Sequence, residues 1–291
     1  MKNYPWLNIK NTMEEYVDPE YYNRLLRDYI FRGKTDLEIF ASNISKGKMK
    51  KALEIGCGNG RATKIFLDRA DFSELCLVDL SRRMIKNAKE NFPNRRDLKF
   101  ECCDGLEYLE QAEEKYDFIF SLWSFSHAVH QMISRLGLAA GKERIGNLME
   151  KMVLCNMEKR SKFFLIHFDS LSDEQKILIR QWKKNLPIFS QNKIQSPSKR
   201  FINYSLRKLQ KRGIIKLDIR HLKGEPIIYK SQDEALEIFM NFHMETFFNR
   251  SLREKEVLSE LKKYFLKFKR KDGLIAIRPG CFVYSFEKIT N

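Results

Sequence analysis

The sequence predicts an α/β protein: a seven-stranded, mostly parallel, doubly wound sheet with an added helical cap. Three observations predict it. From residue 47 to residue 170, apolar runs of strand length alternate with stretches of helical periodicity. The first run, residues 52–55, stops at three closely spaced glycines, Gly56, Gly58 and Gly60, before an amphipathic stretch over 62–70. Beyond Ser170 the alternation gives way to longer helical segments and a basic composition.

The glycine segment, KALEIGCGNGRAT over 51–63, reads as strand, tight turn and helix. Glycine is needed where a backbone turns sharply or approaches a ligand closely. In open α/β sheets ligands sit beyond the carboxyl ends of the strands, so this turn is a candidate nucleotide-binding turn. The second strand, 74–80, carries Asp79 at its tip, twenty-one residues after Gly58. A carboxylate there can accept both hydroxyls of a ribose. The third strand, 98–103, runs into Asp104 and Gly105, and the fourth, 116–121, into Leu122-Trp123-Ser124-Phe125. Between them lie predicted helices over 81–91, with Ser81 as N-cap, and over 106–114. A longer helix over 142–156 precedes a fifth strand over 162–168.

Outside this core the patterns are mostly helical. Residues 19–31 and 35–44 have helical spacing, with Pro19 suited to a first turn. Tyr4, Trp6, Tyr16, Tyr21 and Tyr22 make the amino-terminal segment aromatic. Helices are predicted over 172–186, 205–212, 231–248 and 252–268, the third with an S-x-x-E capping box at Ser231 and Glu234. The proline-punctuated stretch 187–200 reads as a loop. Residues 214–219 read as a sixth strand, and 274–277 with 281–286 as a hairpin-like pair around Arg278-Pro279-Gly280.

Composition narrows the classes. Of the 291 residues, 43% are hydrophobic and 32% charged, as expected of a globular chain. No apolar run reaches the ~18 residues of a membrane span, and residues 1–16 lack the apolar core of a signal peptide. The six cysteines show no C-x-x-C pairing and read as reduced cysteines of a cytoplasmic protein. Charge is uneven. Residues 1–150 hold 24 basic and 23 acidic residues, net +1, whereas 151–291 hold 30 and 15, net +15. Between Arg180 and Lys223 there are 13 basic residues and one acid, Asp218. That asymmetry points to an anionic partner or to a solvated surface.

The segment LEIGCGNGRAT resembles motif I of the class I S-adenosylmethionine-dependent methyltransferases, with their Rossmann-like fold. The resemblance covers about residues 45–170, and more loosely the carboxyl-terminal strand as the antiparallel seventh. It implies a small-molecule type with an inserted cap. Residues 1–46 would form an amino-terminal helical lid and 47–170 the cofactor-binding core. Residues 171–204 and 223–272 would form the cap and substrate region, and 205–222 and 273–291 the remaining core. Matched position by position, Glu54, Gly56, Gly58, Asp79, Leu80, Cys103, Asp104, Gly105 and Ser121 would contact S-adenosylmethionine, released as S-adenosylhomocysteine. Tyr21, Trp123 and His243 are candidates to line the acceptor site.

Methyl transfer is an in-line displacement, and a base is needed only when the nucleophile carries a proton. His127 and His167 follow the fourth strand and end the fifth, on the carboxyl side of the sheet, and are the candidate general bases. No tight ligand cluster follows the fourth strand, so no metal is expected. The adenine-methylating signature N/D-P-P-Y/F is missing, its place being taken by Ser121-Leu122-Trp123-Ser124. The long inserted cap and its aromatics, Phe239, Phe242, Phe247 and Phe248, point to a small-molecule acceptor, an anionic one included, methylated at oxygen or nitrogen. The rivals are a nucleic-acid methyltransferase using 180–223 and 262–271 as a phosphate-binding surface, and a non-catalytic cofactor-binding subunit.

Overall fold

The computed structural model describes residues 19–44, 47–185, 196–243 and 254–291. Its centre is a seven-stranded sheet. In chain order the strands are β1 (Ile30–Phe31), β2 (Lys34–Thr35), β3 (Lys48–Ile55), β4 (Asp71–Asp79), β5 (Leu98–Cys102), β6 (Tyr116–Leu122) and β7 (Met157–Phe168). There follow β8 (Ile215–Lys223), β9 (Ile227–Tyr229), β10 (Ile275–Ile277) and β11 (Gly280–Lys288). The sheet order is β5-β4-β3-β6-β7-β11-β8. The first five pair in parallel, and β11 runs antiparallel to both β7 and β8. The order reverses between β3 and β6, the topological switch point at which open α/β sheets bind ligands.

The helices are α1 (Pro19–Arg27), α2 (Asp36–Ala41), α3 (Arg61–Arg69), α4 (Arg82–Asn91), α5 (Gly105–Gln111), α6 (Phe125–Leu136) and α7 (Leu138–Cys155). After β7 come α8 (Asp173–Asn185), α9 (Pro197–Lys211), α10 (Gln232–Ile238) and α11 (Glu254–Phe265). The central strands are apolar on both faces, as strands covered by helices must be. Phe118, Phe120 and Phe164 face a layer with Phe40 of α2 and Phe66 of α3. Leu53, Ile119, Phe163 and Leu165 face the opposite layer, with Val129, Ile145, Leu148 and Leu206 from α6, α7 and α9. Burying a Phe or Leu side chain contributes about 1.5–3 kcal/mol, so these two layers dominate the stability of the sheet.

Local capping matches the sequence reading at Ser81, whose hydroxyl accepts from the Met84 N–H, and at Ser231, which accepts from the Glu234 N–H. Four readings need correction. The stretch 187–200 is not all loop: 186–195 lie outside the described residues, but α9 starts at Pro197, with Ser196 as N-cap accepting from the Lys199 N–H. Ser-Pro is a helix-start signal as much as a loop signal, because proline fits the first turn, where its missing N–H costs nothing. Residues 125–136, between the fourth strand and the long helix, form a separate helix, α6, that the strand-centred reading passed over. The two carboxyl-terminal strands do not pair: β10 pairs with β9 in its own small sheet, while β11 enters the main sheet. The helix read over 231–248 is α-helical only to Ile238, followed by a π turn over Phe239–His243. Among the described residues no helix is long and apolar enough to cross a membrane.

Candidate active site

The site begins with the chain turning between β3 and α3. Gly56 and Gly58 hold φ of +73° and +55°, which L side chains rarely adopt. Their roles differ. A Cβ at Gly56 would lie 1.9 Å from Ser124 Oγ, so that glycine lets the start of α6 approach the turn. A Cβ at Gly58 would meet nothing within 4 Å, so this glycine borders open space. Asp79, half-buried at the tip of β4, holds the turn in place: one carboxylate oxygen accepts the Gly58 N–H at 2.8 Å and the other the Ser81 N–H at 2.9 Å. Burial raises the Asp79 carboxyl pKa, and these two N–H groups oppose the rise. Next to it Leu80 exposes 44% of its surface, an apolar platform beside a carboxylate. Each Asp79 oxygen has a second lone pair, so the carboxylate can also accept two hydroxyls.

Other candidates from the sequence are already occupied. Asp104 caps α5, accepting from the Leu106 and Glu107 N–H groups at 2.8 and 3.4 Å through one oxygen, with Arg135 3.5 Å from the other. Gly105 is needed for packing, since a Cβ there would lie 2.5 Å from Ile55. Cys103 is half-buried after β5, on the same sheet end as Asp79. Ser121 is fully buried: its hydroxyl donates to the Ile55 carbonyl at 2.7 Å and accepts the Phe125 N–H. It fastens β6 to β3 instead of facing a ligand. Glu54 is likewise buried, accepting from the Thr63 hydroxyl at 2.6 Å, and burial pushes its pKa up to about 8. That hydrogen bond ties β3 to the first turn of α3 beneath the glycines.

Trp123 is corrected too. It is 1% exposed, at a φ of +68°, and its indole N–H donates to Asp36 Oδ2 at 2.7 Å. Asp36 is fully buried and also pairs with Arg61, whose Nη1 lies 3.1 Å from Oδ1. One carboxylate thus ties α2, α3 and the tip of β6 together. Sequence reasoning missed Asp36. The usable signal was the T-x-x-E capping box, Thr35 to Glu38, which places it in a first turn. Trp123 is therefore packed in the core, with Tyr29 and Phe168 against its ring at 5.4 and 4.6 Å between centroids. Tyr21 and His243 lie in α1 and in the π turn, and their side chains fall outside what is described.

The two candidate bases part company. His127 sits in the first turn of α6, half-buried, its N–H accepted by Ser124 O at 2.9 Å and its ring edge-on to Phe168 at 5.6 Å. Positions three apart share a helix face, so His127 stands one turn from the Ser124 that meets Gly56. His167 is 2% exposed, and both ring nitrogens are engaged, Nδ1 with the Phe168 carbonyl at 2.7 Å and Nε2 with Ser198 Oγ at 2.9 Å. The carbonyl can only accept, so Nδ1 carries the proton and Nε2 accepts from Ser198. Burial pulls its pKa down to about 4. A base that weak, facing a buried serine, does not serve an acceptor at neutral pH. His130, one turn beyond His127, is also buried and held neutral by burial, and its Nε2 accepts the Ser198 N–H at 3.4 Å. Among the described residues no group of three or more His, Cys, Asp or Glu is placed to hold a metal.

The fold and site together define a Rossmann-like α/β domain with a nucleotide-binding turn at its switch point. Residues 53–139 match the methyltransferase domain family. The malonyl-[acyl-carrier protein] O-methyltransferase of Acetivibrio thermocellus is 34% identical over 92 residues, 31% of this chain and 29% of that protein. The polyamine aminopropyltransferase of Moorella thermoacetica is 29% identical over 119 residues, 35% of this chain and 41% of that protein. The chain thus spans about a third of the length of these curated relatives. The YcgJ protein of Bacillus subtilis shares the fold, with a TM-score of 0.53 at 13% identity over 88% of this chain and 98% of that one. Residues 53–139 thus resemble a methyltransferase domain, and the chain around them has a Rossmann-like fold.

Proposed function

We propose that the chain is an S-adenosylmethionine-dependent methyltransferase acting on an oxygen or nitrogen of a small-molecule acceptor. The observation that carries this reading is the open turn at Gly58, latched to Asp79 beside the exposed Leu80. The residues fit the cofactor: Asp79 has lone pairs for the ribose hydroxyls, Leu80 an apolar surface for the adenine, and Gly58 the room for backbone approach. The cofactor supplies an electrophilic methyl group. The protein orients the acceptor, and His127, one helical turn along α6 from Ser124, takes the acceptor's proton where there is one. The relatives differ in the group their names say they transfer. The acceptor therefore has to be read from the other half of this chain.

Two features support a small acceptor over a polymer. The elements after β7 bury their aromatics in a packed layer, Phe239 against Phe265 and Tyr229, covering one side of the sheet. The basic half also spends several cations internally: Lys208 and Arg212 pair with Glu150, Arg220 pairs with Asp218, and Lys199 is buried. The deciding experiment incubates the purified chain with S-adenosylmethionine and acceptor panels and follows S-adenosylhomocysteine. Turnover with metabolites is expected. Turnover with structured RNA alone, weakening steeply with salt, would replace this reading with the polymer one, and no turnover with tight cofactor binding would make the chain a non-catalytic subunit.

A further inference from the structure

On the face of the sheet covered by α6, α7 and α9, the carboxyl end of β7 and its neighbours carries a polar cluster unlike the apolar layer beneath it. His167, Phe282 and His221 are cross-strand partners on β7, β11 and β8 and so share that face. Over them lies the first turn of α9, with Ser196, Ser198 and Lys199, each at most 6% exposed. Every polar group here but two has an acceptor or donor in hand. Ser198 meets His167 and Ser196. Asp169 accepts the Leu171 N–H at 2.9 Å and meets His221 Nε2 at 2.6 Å across Gly280, where a Cβ would come within 3.0 Å of its carboxylate.

The two exceptions are both donors. The Lys199 ammonium stands 3.3 Å from the centroid of the Phe282 ring and has no hydrogen-bond or ion-pair acceptor among the described residues. Two positions deeper along β11, on the same face, Tyr284 is fully buried, and its hydroxyl has no hydrogen-bond partner there either. A buried lysine side chain whose ammonium has no acceptor is costly, and an anion arriving beside it would offset that cost. A ring face offsets only part of that cost. Burial accordingly lowers the Lys199 pKa, with the charge of Asp169 opposing the shift. The side chain of His221 is 38% exposed, so the cluster reaches solvent at the β8 edge.

We propose that Lys199 and Tyr284 form an anion subsite for the acceptor, which carries a carboxylate or a phosphate that is held there and not itself methylated. This rests on the methyltransferase reading above and deepens it. The subsite joins the candidate base through named contacts: Ser198 meets His130, and His130 lies one turn along α6 from His127, a rise of ~5 Å. The acceptor class is thus a small molecule that carries an anionic group besides its methyl-accepting oxygen or nitrogen. The acidic partner is recognised by two buried donors, not by the lysine-rich surface.

The test uses the full chain, titrated by calorimetry with sodium phosphate and, separately, sodium acetate at constant ionic strength, with S-adenosylmethionine affinity measured on the same samples. One of the two anions is expected to bind saturably in the millimolar range, and which one identifies the group. Lys199→Met should weaken it at least tenfold and Tyr284→Phe about threefold, with cofactor affinity unchanged within twofold. Lys199→Met should also melt higher, because it removes a buried charge without a partner. If neither anion saturates, or both variants bind like the parent, the proposal falls. If Lys199→Met does not fold, Lys199 is structural and the proposal falls unless Tyr284→Phe, which removes one oxygen, still weakens the anion. Loss of cofactor binding in the parent protein would sink the methyltransferase reading instead, while leaving saturable anion binding to be seen.

Discussion

The two halves of the sheet solve opposite problems with polar groups. On the β3–β4 side the functional groups are few and near in sequence, and are held by backbone: Asp79 takes the Gly58 and Ser81 N–H groups, and the turn stays open. On the β6–β7–β11 side they are many, buried and gathered from distant segments, His130 and His167 meeting Ser198 of α9. The first arrangement suits a ligand that is the same for every member of a large class. The second suits one that is particular to this chain. A short backbone-held turn accepts little variation, whereas a side-chain network can be rebuilt one residue at a time.

Four substitutions test that contrast. Asp36 joins the halves, so Asp36→Ala should leave Arg61 and the Trp123 indole without their acceptor. Removing one partner of a buried pair costs about 3–5 kcal/mol, and urea denaturation is expected to show a loss on that scale. On the acceptor side, His127→Ala should lower kcat by about a hundredfold, ~2.7 kcal/mol, with cofactor affinity nearly unchanged. His167→Ala should instead lose stability, by about 1–3 kcal/mol, because it strands the Ser198 hydroxyl. Equal kcat losses in the two variants would return His167 to the chemistry. On the cofactor side, Asp79→Ala is expected to weaken S-adenosylmethionine at least tenfold, about 1.4 kcal/mol. Unchanged affinity by calorimetry would detach the turn from the nucleoside.

The smallest effect is a slope. The Glu54 carboxyl rises from an ordinary 4.5 to about 8 on folding. The native state then holds a proton that the unfolded chain releases, so stability is full below pH 4.5 and declines as pH rises toward 8. Glu54→Gln should flatten the stability profile between about pH 5 and 8 and raise Tm most at the alkaline end, by a few degrees. An unchanged slope in thermal melts would mean that Glu54 is ionised in the native protein.

What the sequence made legible follows the same divide. The glycine turn, the acid at the end of β4 and the caps at Ser81 and Ser231 are local patterns, and the fold reproduces them. The contact of His167 with Ser198 spans 31 positions and the contact of Trp123 with Asp36 spans 87, and no periodicity encodes either. Both histidines were expected on the carboxyl side of the sheet because both follow strand tips. They come near one another, but α9 docks over His167, and that docking depends on a helix start the proline-serine composition disguised as loop. The expected carboxyl-terminal hairpin failed for a related reason. Two strands joined by a short turn pair only if neither finds a better edge, and β10 meets β9 while β11 fills the gap between β7 and β8.

That inserted strand sets a timetable for synthesis. On the main sheet β8 has one neighbour, β11, which is translated later, with α10, α11 and β10 in between. At ~5–20 residues per second the wait is about three to eleven seconds. During it β8 is a free strand beside the exposed edge of β7, where premature or intermolecular pairing is the hazard. Its sequence, IKLDIRHLK, places a charged side chain or an imidazole at most alternate positions, which keeps a lone strand in water. The sequence that later edges the sheet thus also guards the nascent chain until residues 280–288 arrive to close it.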